Sequence, residues 1–211
     1  MTEVRAADRA VLLAHGAGSD RNAPALVAVA DALEAAGIPS LRFDFPYRLA
    51  GRKAPDRPPV LLAAVRDAAA ELMKSTGLPA ERLVLGGRSM GGRYCSLAVG
   101  DAEDPLPALG LLLLGYPLHP AGKPDNLRVE HFPRLGVPVL FLSGDRDALA
   151  GKKDLEQWAA TIPGPVGFHW LAGGDHGFRV PKAHGGKGEA AVLAEVAQVS
   201  AAWVADLPAS P

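Results

Sequence analysis

Ser89 stands in Gly87-Arg88-Ser89-Met90-Gly91, directly behind the apolar run Leu83-Val84-Leu85 and ahead of a segment compatible with a helix. A G-x-S-x-G arrangement between strand and helix lifts a hydroxyl onto a sharp turn, where it can act as a nucleophile. Holding a serine there strains its backbone. Side chains two residues before and two after would collide in the turn, so glycine fills both places. A helix starting behind Ser89 also aims its free N–H groups and positive dipole end at an oxyanion forming there. The chemistry is acyl transfer, and it needs a base to take the serine's proton.

Of the six histidines, His176 directly follows an apolar run, Val166–Leu171, inside Gly173-Gly174-Asp175-His176-Gly177. Those glycines would let the ring swing over Ser89. His169 alternates with Phe168 and Trp170 within the run and is expected to be packed. His184, in a glycine-rich lead-in to the last helix, is expected to be exposed. His119 and His131 lie in a long loop, and His15 is read as a brace for its own loop through a backbone hydrogen bond. An imidazole base must also be held in one tautomer by an acid. Asp145 and Asp147, at the end of another apolar run, both qualify. Serine, then aspartate, then histidine is the chain order of the α/β-hydrolase triad.

The elements that must position these residues alternate. Ala10–Ala14 reads as a buried strand ending in His15-Gly16-Ala17-Gly18. A helix follows, capped by Asn22, with Pro24 in its first turn, an apolar stripe of Leu26, Ala30 and Leu33, and Gly37 at its end. Residues 38–43 read as a strand, 44–58 as a long loop rich in Arg, Lys and Pro, and 59–75 as a helix closed by Gly77. Strand 83–85 feeds the elbow, and helix Met90–Val99 leaves it. Strand 109–114 is the most apolar run, as a strand covered on both faces should be. Loop 115–136, strand 137–142, helix 154–160, strand Val166–Leu171 and helix Glu189–Asp206 complete the chain. About six strands alternating with helices predict an α/β fold with a mostly parallel sheet in a single domain spanning 1–211, residues 1–9 being polar and frayed. Right-handed crossovers put every strand's C-terminal end on one edge, where Ser89, the aspartates and His176 would meet.

Composition removes several classes of function. Lys+Arg 22 against Asp+Glu 23 gives a formal charge of -1, so no global field favours nucleic acid or anionic membrane. Glu3 and Asp8 interrupt the N-terminus, the first apolar run is too short for a signal-peptide core, and prolines and glycines break the longest one. The single Cys95 cannot form an intrachain disulfide and suits a reducing compartment, so a cytoplasmic location is expected. The histidines lack metal-ligand spacing, and neither metal nor cofactor is expected.

Leu13-Ala14-His15-Gly16-Ala17-Gly18, Phe43-Asp44-Phe45-Pro46-Tyr47, Gly87-Arg88-Ser89-Met90-Gly91-Gly92, Tyr116-Pro117-Leu118-His119-Pro120, Gly144-Asp145-Arg146-Asp147 and Asp175-His176-Gly177-Phe178 together form a pattern. From about Ala10 to Leu207 the chain resembles the small, lidless bacterial α/β-hydrolases of the dienelactone-hydrolase-like group. It is similar in the same way to an animal testis-expressed hydrolase-like protein and to a subunit of the non-specific lethal chromatin complex. The resemblance implies that the acid follows the strand glycine by three positions, which selects Asp147 over Asp145. Asp145 is then expected to bond the turn backbone or pair with Arg88 or Arg146. Backbone N–H groups of Met90 and, from the loop after the first strand, Ala17 would form the oxyanion hole. Dienelactone hydrolases proper use a cysteine nucleophile where this chain has Ser89, so their substrate does not carry over.

Substrate contacts are the least constrained. Arg48, Arg52, Lys53, Arg88, Arg93 and Lys123 cluster in loops at the active edge and could recognise a carboxylate or phosphate, or simply solvate those loops. Phe45, Tyr47, Tyr116 and Phe132 could line an acyl or alcohol pocket or serve only in packing. Tyr47, Arg48, Arg88 and His119 are the named candidates. The sequence thus points to a serine hydrolase of a small carboxylic ester, with thioesterase and amidase chemistry open to the same residues. A non-catalytic scaffold on this fold is the alternative from another class. Haloalkane or epoxide hydrolysis would call for an aspartate at the elbow.

Overall fold

The computed structural model describes residues 7–186 and 188–208. Six parallel strands form one sheet in the order β2-β1-β3-β4-β5-β6, with β1 Ala10–Ala14, β2 Ser40–Phe43, β3 Leu83–Arg88, β4 Gly110–Leu114, β5 Val139–Gly144 and β6 Val166–Leu171. Burial follows position in the sheet. Every residue of β1, β4 and β5 is buried, whereas β2 and most of β6, at the edges, are half-buried. Leucines and valines with no polar alternation are what two covered faces require.

The helices are α1 Pro24–Ala35, α2 Pro46–Leu49, α3 Pro58–Thr76, α4 Met90–Val99, α5 Lys152–Ala159 and α6 Glu189–Asp206. Successive residues of β1 divide between two cores, as the strand period demands. Ala10, Leu12 and Ala14 join Leu61, Val65 and Leu72 of α3 and Tyr94 and Cys95 of α4. Val11 and Leu13 join Leu26, Val29 and Leu33 of α1 and Val192 and Val196 of α6. Each fully buried leucine contributes about 2 kcal/mol of transfer free energy.

Three local expectations need correction. Asn22 does not cap α1. Ala23 holds that place without a side-chain bond, Pro24 sits in the first turn, and Asn22 instead accepts from Arg42 Nη1 at 3.4 Å. The loop 44–58 contains one helical turn, α2, which Pro46 opens with its preset φ. The expectation that 1–9 is frayed fails at its inner end. Residues 1–6 lie outside the described part, but Arg9 is buried and donates to the carbonyls of Val204 and Leu207 at 2.8 and 2.7 Å.

The strand order matters for the site. From β1 the chain moves outward to β2, then returns past β1 to β3 and proceeds toward β6. The loops leaving β1 and β3 therefore diverge to opposite sides, opening a crevice between adjacent C-terminal strand ends. Loop His15–Gly18 and Ser89 are the residues at that crevice.

Candidate active site

Ser89 closes β3 and precedes α4 with φ 51° and ψ −114°. For a residue with a Cβ this conformation costs roughly 1–3 kcal/mol and persists only where surroundings enforce it. The backbone N–H of Ser89 donates to the Leu114 carbonyl of β4 at 2.9 Å, and its own carbonyl accepts from Arg93 at 3.0 Å. The two motif glycines are explained by their neighbours more than by the turn itself. A Cβ at Gly87, where φ is +148°, would lie 2.0 Å from the Ala14 carbonyl oxygen, and one at Gly91 would lie 2.2 Å from the same oxygen. The end of β1 is pressed against the elbow, and any side chain would push it away.

His176 reaches the elbow from the loop after β6. Its Nε2 is 2.9 Å from Ser89 Oγ, and its Nδ1 is 2.8 Å from Asp147 Oδ2. The Asp147 side chain is fully buried and that of His176 is 26% exposed. Asp147 Oδ1 accepts from the Leu149 N–H at 2.8 Å, which fixes the carboxylate plane. With the carboxylate accepting from Nδ1–H, Nε2 is left as the acceptor for the serine proton.

Asp145 lies elsewhere. It accepts from the Gly173 N–H at 2.7 Å and so ties the loop after β5 to the loop after β6. Asp175 then accepts from the N–H groups of Gly177 and Arg179 at 2.7 and 2.9 Å, folding the turn that presents His176. Phe178 follows with φ 64°, and the Arg88 guanidinium sits over its ring at 4.5 Å. Arg88 also donates to the Leu114 carbonyl at 3.3 Å, and burial pushes its pKa down to about 10. It thus links the loop bearing Ser89 to the loop bearing His176. No sequence pattern signals the Phe178 partner or the Asp175 turn.

The loop after β1 is braced twice. His15, fully buried, has Nδ1 2.8 Å from its neighbour Gly16 O, and its Nε2 accepts from the Phe45 N–H at 3.1 Å. One nitrogen donates and the other accepts, so the ring is neutral. Burial pushes its pKa down in the same sense. Tyr47 is the second brace. Its hydroxyl donates to the Ala17 carbonyl at 2.8 Å while its ring is buried, so it lies behind the loop and outside the walls of the two clefts at Ser89. Met90 opens α4, whose first-turn N–H groups have no intrahelical acceptor.

Two clefts of about 370 Å³ each meet at Ser89 and Ala17. The first is walled by Arg88, His176, Glu189 and Leu193. The second is walled by Met90, Arg93, Tyr94, Arg128 and Asp56. Of the four named substrate candidates, Arg88 borders the first cleft, and of the wider group of loop arginines and lysines Arg93 borders the second. Arg48 is 3.5 Å from Asp20, and His119 bonds the neighbouring Pro120 carbonyl at 2.9 Å. Phe45, Tyr116 and Phe132 are fully buried and pack in the core, because aromatic rings next to strand ends gain more from burial than from lining an open rim. Lys53 and Lys123 are exposed, and Arg52 pairs with Asp56 at 2.7 Å. Arg128 and Tyr94, which do border the second cleft, were not singled out by any local pattern.

The remaining histidines have other partners. His131, fully buried, bonds Ser96 Oγ at 2.8 Å, and burial followed by the charges of Arg93 and Arg134 pushes its pKa down to about 3. His169, half-buried, pairs with Glu195 at 2.9 Å. His184 is exposed, as expected. Among the described residues no group of His, Cys, Asp and Glu is arranged to hold a metal, and no helix is long and apolar enough to cross a membrane.

The alpha/beta hydrolase domain profile matches residues 7–205. The chain belongs to this family. Solved structures with the same fold include a dienelactone hydrolase from Anabaena variabilis, at 22% identity and TM-score 0.68, covering 96% of this chain and 88% of that one. Est1E from Butyrivibrio proteoclasticus, solved with ferulic acid bound, aligns at 16% identity and TM-score 0.73 over 99% of this hydrolase and 93% of its own chain. An α-β serine hydrolase homologue from Coxiella burnetii aligns at 16% identity and TM-score 0.70, over 94% and 86% of the two chains. The fold of this alpha/beta hydrolase is therefore shared at low identity, and a Ser–His pair sits where its strand order opens the crevice.

Proposed function

We propose that the protein is a serine esterase acting on a small carboxylic ester through an acyl-enzyme. The observation that carries this reading is the continuous chain of contacts Ser89 Oγ–His176 Nε2 and His176 Nδ1–Asp147 Oδ2, at 2.9 and 2.8 Å, on a serine held with φ 51°. Ser89 Oγ attacks the ester carbonyl as its proton passes to His176 Nε2. The N–H groups of Ala17 and Met90 hold the oxyanion, and Asp147 stabilises the imidazolium. Collapse breaks the bond to the alcohol oxygen, which takes the proton from Nε2. Water then adds to the acyl-enzyme, giving its proton to Nε2, and the acid departs as Ser89 recovers its hydrogen. Thioesters and amides could enter the same cycle.

The finer kinship read from the sequence, to the small lidless dienelactone-hydrolase-like group and the similarity to a testis-expressed hydrolase-like protein and a chromatin-complex subunit, belongs to this proposal and rests on the motifs. So does a cytoplasmic location, which the lone buried thiol of Cys95 favours. The test is a fluorophosphonate probe. Labelling of the wild type and none of Ser89→Ala supports the esterase. A folded wild type that resists labelling would favour a scaffold instead.

A further inference from the structure

An ester seated on Ser89 has two halves, and the two clefts are unequal hosts for them. His176 Nε2 must hand its proton to the leaving oxygen, so the alcohol half lies on the side that His176 lines. The acyl half is left with the opposite cleft, and two arginines stand in its wall. Arg93 lies one turn along α4 from Ser89. Its guanidinium is 5.3 Å from the Tyr94 ring, and its buried Nε has no hydrogen-bond partner. Arg128 is half-buried. Burial and then the neighbouring charge of Arg93 push its pKa down. Among the described residues, neither arginine has an ion-pair partner. The one carboxylate in the same wall, Asp56, meets Arg52 through Oδ1 at 2.7 Å and leaves its buried Oδ2 without a hydrogen-bond partner, so it bonds neither arginine. Adjacent, partly desolvated cations without a counter-ion are costly, and an anion bound between them would offset that cost through charge-assisted hydrogen bonds.

We propose that the second cleft is an acyl site selecting acids with a carboxylate at the far end of the acyl chain, held by Arg93 and Arg128. The proposal rests on the esterase reading, since that reading decides which cleft receives the acyl half.

The test compares mono-4-nitrophenyl adipate with 4-nitrophenyl hexanoate at low salt, with the spontaneous rates subtracted. The wild type is expected to favour the adipate in kcat/KM by about tenfold or more, and Arg93→Met or Arg128→Met to cut that ratio by about 10- to 100-fold. Lys74→Gln, an exposed charge in the last turn of α3, serves as the control and should leave the ratio unchanged. A wild type that turns over hexanoate but not adipate any faster overturns the acyl-site proposal and leaves the esterase standing. So does a ratio that falls equally in Lys74→Gln, because a general field would then explain it. A second measurement is independent of turnover: calorimetric binding of monomethyl adipate against methyl hexanoate to Ser89→Ala. Preference for the adipate that disappears on adding Arg93→Met supports the site, and equal binding overturns it. Failure of the esterase reading would be recognised separately, by the absence of fluorophosphonate labelling.

Discussion

The two clefts that meet at Ser89 share one wall and differ in the others. The shared wall is backbone: Ala17 in the loop after β1, pinned by Tyr47 and by the His15–Phe45 bond, and the elbow itself. The private walls are side chains, with His176 and Glu189 on one side and Arg93 and Arg128 on the other. The contrast teaches where each property resides. On the proposed esterase reading, rate depends on the shared wall and the groups bonded to Ser89, because any ester would present its carbonyl there. Selectivity would depend on the private walls, because each would touch only one half of the ester.

The largest effects should therefore fall on all esters alike. Asp147→Asn keeps the shape but puts an amide N–H against Nδ1, forcing the wrong tautomer, and kcat should drop by ~10⁴ for neutral and anionic esters together. Asp145→Asn is the contrast, since its amide oxygen can still accept from Gly173, and steady-state kinetics should change by less than about threefold. If the two variants behave alike, the assignment of Asp147 as the orienting acid is wrong.

The next effect is on stability and is read through pH. His131 bonds Ser96 of α4, the helix that carries Arg93, and its folded pKa of about 3 lies well below the ordinary histidine value. Between those two values the unfolded chain binds the proton and the folded one does not, so stability must fall as pH falls and level off below the folded pKa. From pH 6.5 to pH 5 this one histidine should remove about 2 kcal/mol, read as a lower urea midpoint. His131→Gln should flatten that slope. An equally steep slope in the variant would mean that other groups, such as His15, carry it.

Tyr47→Phe removes the bond to Ala17 while keeping the packed ring, and should lower kcat by about five- to tenfold for every ester. A change confined to one ester class would show that Tyr47 contacts substrate after all. The smallest effect is on the alcohol side. Glu189 is exposed, so Glu189→Gln should shift the preference between cationic and neutral alcohols by less than about threefold.

Much of the shared wall could be read in the sequence, and little of the private walls could. The elbow needs glycines at fixed offsets, β1, β6, α4 and α6 were legible end to end, and the buried strands are continuous runs of leucine and valine. Those features are local, and short-range sterics and periodicity dictate them. The arginines were noticed only as a crowd. Arg48 and Arg52 pair with acids, Arg88 stacks on Phe178, and Arg93 shares a cleft wall with Arg128, 35 residues away along the chain. An arginine's reach is long and its partner is set by whichever element packs nearby, so spacing says nothing of its destination. The place of Tyr47 is hidden from the sequence for the same reason. Its pattern marks an aromatic beside the site, but whether it faces the cleft or lies behind the loop depends on the turn of α2.

By itself, then, the sequence determined a six-stranded parallel sheet, a serine forced onto a bent backbone, and the order in which a serine, an acid and a histidine leave their strands. Tertiary structure alone decided that β1 and β3 lie side by side with loops diverging, that His176 points at Ser89, and that one flank of that serine is cationic. The division is physical. Periodicity and glycine sterics act over a few residues, whereas the charge and shape of a cleft are sums over segments that meet only when the sheet closes its order.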